Sequence, residues 1–223
     1  MGLTSTKVTA VPTRLLAGLR RAGMSIGDIA QVYDLPPAAV TKAVAAPFEP
    51  LCVDDMELLR DDDHRYELWE GDLWRMSPTK KRHGRGTTRI TRQLILHLEV
   101  SPTGSVYIGE VGFRVGPGQT LVCPDAAYVS HERDAPVGDD EFFPYAPDIA
   151  IEVLSPDNTW PKVRRKARAY LANGARLVWA IASRRRSVTV YRPGAEPQLL
   201  RGEDVLSGED VLPGFAVRVA DLF

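Results

Sequence analysis

Two acids stand where the chain should be apolar. Cys123-Pro-Asp125-Ala-Ala-Tyr-Val129 and Pro147-Asp-Ile-Ala-Ile-Glu152-Val-Leu-Ser155 are short runs rich in Val, Ile and Ala, which is how buried strands read. A buried strand has no packing use for a carboxylate. An ionised acid there is costly unless a cation and hydrogen bonds compensate it. On neighbouring strands the two carboxylates can lie about 5 Å apart and repel. A hard divalent cation removes that repulsion, and Mg²⁺ is typically held by one or two carboxylates with waters and phosphate oxygens. Pairing of each acid with an arginine is the alternative. Asp148 shares the face of Glu152 but lies about 13 Å along the strand, so it suits a strand start rather than the same metal shell.

A phosphate-cleaving site also needs a cation aimed at the water or the phosphate. Lys166 can supply it. Its helix opens near Trp160 and runs back along the sheet, so six residues of helix cover about 9 Å. Glu152 lies about 7 Å back from the strand end, so the two are level. Lys162 is one turn earlier on the same helical face, whereas Arg165 and Arg168 point elsewhere and suit phosphate contact. The plain alternative is a lysine whose stem covers Tyr170.

The rest of the chain must position these groups. Residues 12–46 read as a small helical unit: Leu15, Leu16 and Leu19 share a face, Ser25 caps a helix carrying Asp28, and Pro36-Pro37 open another. Residues 24–44 resemble a helix-turn-helix, whose second helix at about 37–45 would enter a DNA groove through Thr41 and Lys42. A helical hairpin or a dimerising element fits the same residues. Residues 65–77 predict a hairpin with Gly71-Asp72 as its turn. His83 to Leu98 predicts a long helix buried through Ile90, Leu94, Ile95 and Leu98. Strands near 105–110, 112–115 and 120–129 predict a meander. Helix 161–172, closed by Asn173-Gly174, joins strand 147–154 to a parallel strand 177–182. This order predicts an α/β (α+β) fold, a mixed sheet flanked by helices, in a domain 51–223 behind a helical extension 1–50.

Net charge is −1, so the whole chain gives no sign of a polyanionic partner. Its distribution does: residues 73–98 carry seven Lys/Arg and residues 158–195 carry ten, with no Asp or Glu in either stretch. Such blocks make either a basic groove or solvated faces. Two cysteines, Cys52 and Cys123, make neither a disulfide framework nor a zinc site. The sequence has no apolar run of transmembrane length and no secretory signal, so no membrane partner and a cytoplasmic location are expected.

At these residues the chain resembles the Uma-two type of restriction-endonuclease-like proteins, within the PD-(D/E)XK nuclease superfamily. The resemblance covers about 52–223. It rests on Tyr66-Glu-Leu-Trp-Glu-Gly-Asp-Leu73, Met76-Ser-Pro78, His83, Pro124-Asp125, Pro147 to Pro156, Lys166 with Tyr170, Asn173-Gly174, Val178-Trp179 and Val211-Leu-Pro-Gly-Phe215. It implies that Asp125 and Glu152 bind Mg²⁺, with Mn²⁺ as a substitute, and that a lysine assists the attacking water. Leu154 stands where the plain superfamily pattern has that lysine, and Lys166 on the following helix takes its place. Glu67 matches the family's additional acidic position, an exposed strand residue being the other reading. The implied activity is a Mg²⁺-dependent endodeoxyribonuclease with catalytic Asp125, Glu152, Lys166 and Glu67. His83, Arg82, Arg85, Lys162 and Arg165 would contact DNA. The rival is a DNA-binding protein without catalysis that uses the same fold and the N-terminal helices. The oligomeric state stays open, a homodimer being usual for nucleases that cut duplexes.

Overall fold

The structure is a computed structural model, which describes residues 11–60, 64–109, 111–155 and 160–223. The chain divides into two compact units, one of residues up to Met76 with Gly118–Thr120, the other of Ser77–Pro117 with Leu121–Phe223.

The first unit holds α1 (Thr13–Arg21), α2 (Ile26–Tyr33), α3 (Pro37–Val44), the short α4 (Val53–Met56) and a hairpin of β1 (Tyr66–Trp69) and β2 (Asp72–Arg75). Ser25 caps α2 as its type predicts: its Oγ accepts from the Asp28 amide at 3.0 Å. Asp34 adopts the left-handed conformation that ends α2. Leu15, Leu19, Leu51, Leu68 and Leu73 are all buried in this unit, and α1 packs against β2. Gly18 sits so close to Leu51 that a β-carbon there would meet its Cδ1 at 2.8 Å. Arg14 donates to Asp55 at 2.9 Å and Arg21 to Asp72 at 3.3 Å. Packing therefore groups the hairpin with the helices in this unit; the sequence reading drew its boundary at 50/51. The hairpin turn is Glu70-Gly71, both at positive φ, rather than Gly71-Asp72.

The second unit is built on six strands in the order β10-β9-β8-β7-β6-β3. In chain order its elements are α5 (Lys81–Val100), β3 (Gly104–Ile108), β4 (Phe113–Arg114), β5 (Leu121–Val122), β6 (Ala126–Ser130), α6 (His131–Asp134), β7 (Ile149–Val153), α7 (Trp160–Ala172), β8 (Leu177–Ala182), β9 (Ser187–Tyr191), β10 (Gln198–Arg201), β11 (Val205–Ser207) and β12 (Ala216–Arg218), with a final 3₁₀ turn at Val219–Leu222. β7 and β8 are parallel, joined across α7; the other pairs of this sheet are antiparallel. This is the expected mixed sheet flanked by helices.

The expected meander is not formed. β3 pairs with β6, and β4 pairs with β5. Pro124 has no N–H to give a ladder, and the chain leaves one strand before it and starts another after it.

Alternation sorts the two faces of the large sheet. Ile149, Ile151, Val153, Leu177, Trp179 and Ile181 enter one core with Ile90 and Leu94 of α5 and the C-terminal Leu212 and Phe215. The other face carries α7 and an aromatic cluster around Phe113 and Phe143, which stack at 4.8 Å. Ile95, expected in the buried stripe of α5, is 46% exposed.

Candidate active site

Asp125 immediately precedes β6. The pair Ala126–Ile151 ends the β6–β7 ladder, and one step further in the same register sets Asp125 opposite Glu152. The Asp125 side chain replaces the missing backbone acceptor: its Oδ2 accepts from the Val153 amide at 2.7 Å. Its Oδ1 lies 3.1 Å from His83 Nε2. His83 is in the first turn of α5 and is buried, so one end of the long helix is tied to the end of the sheet.

Glu152 is buried, on the face of β7 that looks toward α7. Its strand neighbours on that face are small: Ala150 beside it and Ala180 across the parallel pair. That leaves α7 room to approach through Val163, Ala167 and Tyr170. Lys166 and Tyr170 lie one helical turn apart on α7. Lys166 Nζ donates to both oxygens of Glu152, at 3.0 and 3.3 Å, and Tyr170 Oη donates to Oε1 at 2.9 Å. The level placement of Lys166 and Glu152 argued from residue spacing is the geometry found.

A protein cation thus meets Glu152, and a histidine meets Asp125. Glu152 is buried and Asp125 only part-buried, with a side chain 23% exposed, so burial alone does not demand a metal. Among the described residues no group of three or more His, Cys, Asp or Glu is arranged to hold one. Two carboxylates at register-matched backbone positions are a donor type that suits Mg²⁺, an ion that keeps most of its waters and takes few protein ligands. They do not suit a closed zinc-type cage.

The other predicted residues fall in several places. Glu67 belongs to the first unit, where it is buried and accepts from Trp69 Nε1 at 3.2 Å; it is not the exposed strand residue of the alternative reading. Asp148 caps the start of β7, accepting from Arg133 at 2.7 Å and from the Ser130 amide at 2.9 Å, as its spacing suggested. Arg82 and Arg85 are exposed in the first turns of α5; Lys162 is exposed and Arg165 half-buried on α7. Arg82, Arg85 and Arg89 line a hollow of about 320 Å³ together with Arg184 and Arg186 of the β8–β9 turn. In the sequence those arginines were visible only as part of the basic stretch 158–195. Their place opposite α5 depends on the hairpin register, which composition does not reveal.

The family model described as "Uma2: Putative restriction endonuclease" matches residues 48–220. Among solved structures, one similar chain is described as "a putative nuclease belonging to DUF820 from Anabaena variabilis ATCC 29413". The two align with a TM-score of 0.69 at 21% identity, over 78% of this chain and 98% of that one. At that identity the likeness is one of fold. No curated protein matches.

Proposed function

The chain belongs to the Uma2 restriction-endonuclease family, and from that premise we propose that it is a Mg²⁺-dependent nuclease that hydrolyses DNA phosphodiester bonds at Asp125 and Glu152. The observation that carries this reading is the strand register that brings the backbones of Asp125 and Glu152 level at adjacent strand ends, with an ammonium 3.0 Å from Glu152. Asp125 and Glu152 would hold the ion. When bound, Mg²⁺ supplies Lewis-acid polarisation of the phosphate and a more acidic water. Val153 N–H and His83 fix the Asp125 carboxylate, and Tyr170 fixes that of Glu152. Lys166 Nζ sits where it can move from Glu152 to an oxygen of the phosphate or to the attacking water. The arginines of α5 and of the β8–β9 turn offer charge to the DNA backbone.

The test is cleavage of supercoiled DNA with Mg²⁺, with Mn²⁺ and with EDTA. Cutting should require the metal and fall to background in Glu152→Gln, while DNA binding persists. Lys166→Met should lose about a hundredfold or more in rate. Cutting by Glu152→Gln equal to wild type would sink the assignment. The pairing of both acids with protein donors favours one other reading, a DNA-binding protein whose site has no metal. It predicts binding in EDTA and no metal-dependent cutting.

A further inference from the structure

On the same face of the sheet as Glu152, but beyond α7, lies an open cleft of about 870 Å³ between α7, β9 and β10. Arg164 and Arg168 of α7 and Arg201 of β10 line it, against one acid, Glu196. Arg168 and Arg201 make no side-chain ion pair with a carboxylate among the described residues. The floor is β9. Val188 and Val190 turn into the core, so Ser187, Thr189 and Tyr191 face the cleft. Ser187 is 1% exposed, and its Oγ has no hydrogen-bond partner among the described residues. An unsatisfied buried hydroxyl is costly unless something comes to meet it.

The cleft is not isolated. Its lining residues Trp160 and Arg185 also line a smaller hollow with Leu154 and Ser155, the residues that directly follow β7. That hollow shares Ser183 and Arg184 with the arginine-lined hollow beside α5. Through these shared residues the three hollows adjoin one another, from the first turns of α5 to the far side of α7. The cleft volume is of small-ligand size, within about 300–1,000 Å³. It has room for a few nucleotides of one strand and not for a duplex. Arginines with a tryptophan in the lining, here with the Arg185 guanidinium over the ring at 5.8 Å, are the combination that holds single strands, charge for the phosphates and a ring for a base.

We propose, on the premise that the chain is a nuclease acting at Asp125 and Glu152, that this cleft binds a single-stranded stretch of its nucleic-acid substrate. Arg164, Arg168 and Arg201 hold its phosphates, Ser187 donates to one of them, and a base stacks on Trp160. The preferred substrate then carries a single-stranded region next to the bond that is cut.

The test is fluorescence anisotropy in EDTA, so that binding is read without cutting. The probes are a labelled oligothymidine and a blunt duplex of the same length. The Arg168→Ala/Arg201→Ala protein should bind the single strand about tenfold or more weakly. Its slope against log salt should fall by about 0.7 for each lost phosphate contact. Binding of the duplex should stay within about twofold. Trp160→Ala should cost the single strand about tenfold, and Trp160→Phe should restore most of it. Equal losses on both probes, or no loss on the single strand, overturn the proposal. The premise is tested apart from this. If wild type cuts nothing while these variants lose the single strand, the nuclease assignment fails and the cleft stands as a binding site. If cutting depends on Glu152 and the variants bind as before, the cleft proposal alone fails.

Discussion

On the proposed reading, Lys166 and a metal ion would compete for the same carboxylate. Nζ lies 3.0 and 3.3 Å from the two oxygens of Glu152, which is only 3% exposed. Removing the ammonium strands a buried anion, a loss on the order of 3 kcal/mol. A cation that binds the same oxygens should return part of it. Lys166→Met should therefore have a lower Tm than wild type in EDTA and a larger upward shift on adding Mg²⁺. The double variant Lys166→Met/Glu152→Gln should show no such shift. A Tm in Lys166→Met that ignores Mg²⁺ would remove the ion from Glu152. Tyr170→Phe tests positioning: it deletes the 2.9 Å hydrogen bond yet keeps the ring in the core. It should slow cutting about tenfold with little change in DNA affinity. At this scale the sequence was informative. The carboxylates were conspicuous because their neighbours are Val, Ile and Ala, and helix rise against strand rise placed Lys166. Tyr170 was visible only as an apolar partner for Lys166, since residue type does not tell which way a hydroxyl points.

Between elements, the close approach of α5 to the sheet is set by Gly86. A β-carbon there would meet Ser183 Oγ at 2.8 Å and Val153 Cγ1 at 3.0 Å. His83 lies one turn earlier, its Nε2 3.1 Å from Asp125 Oδ1. Gly86→Val should push the helix away and cost about 1–3 kcal/mol, read as a lower urea midpoint, with loss of cutting because His83 moves too. A neutral midpoint would show that the helix yields freely. The long helix itself was legible from its apolar period, but not its contact distance, and not the exposure of Ile95 at the rim of the stripe. Strand pairing was less legible: nothing in the run 105–129 says that β3 must leave its sequence neighbour and pair with β6. In the first unit, α1 is tied to α4 by Arg14 and Asp55. Burial pushes the Asp55 carboxyl up, but hydrogen bonds from Arg14 and from Cys52 outweigh it and hold the pKa below its ordinary 3.8. A lowered folded pKa adds stability above the unfolded value and loses it as pH falls through the folded one. The Tm gap between wild type and Asp55→Asn should therefore be full at neutral pH and close as the pH drops below 3.8. A gap independent of pH would mean that shape, not charge, fixes this contact.

For the molecule as a whole, a net charge of −1 argues against attraction to DNA, and the arrangement of charge argues for it. Residues 158–195, with ten basic and no acidic side chains, include all of α7 and the β8–β9 turn, whereas the acids gather at 54–72, 132–141 and 203–210. At physiological salt the screening length is about 8 Å, so what the backbone of a nucleic acid meets is the local cluster and not the sum. Arg82, Arg85 and Arg184, which share one hollow, carry that local charge beside the candidate site. Each phosphate contact contributes about 0.9 to the slope of log affinity against log salt on duplex DNA. The triple variant Arg82→Ala/Arg85→Ala/Arg184→Ala should therefore flatten that slope by about 2.7, and by the same amount on unrelated duplex sequences, because phosphate contacts carry no base information. A salt titration in EDTA reads this directly. A slope unchanged by the triple variant would move the DNA to another face of the protein. A loss confined to one sequence would mean that these arginines reach base edges.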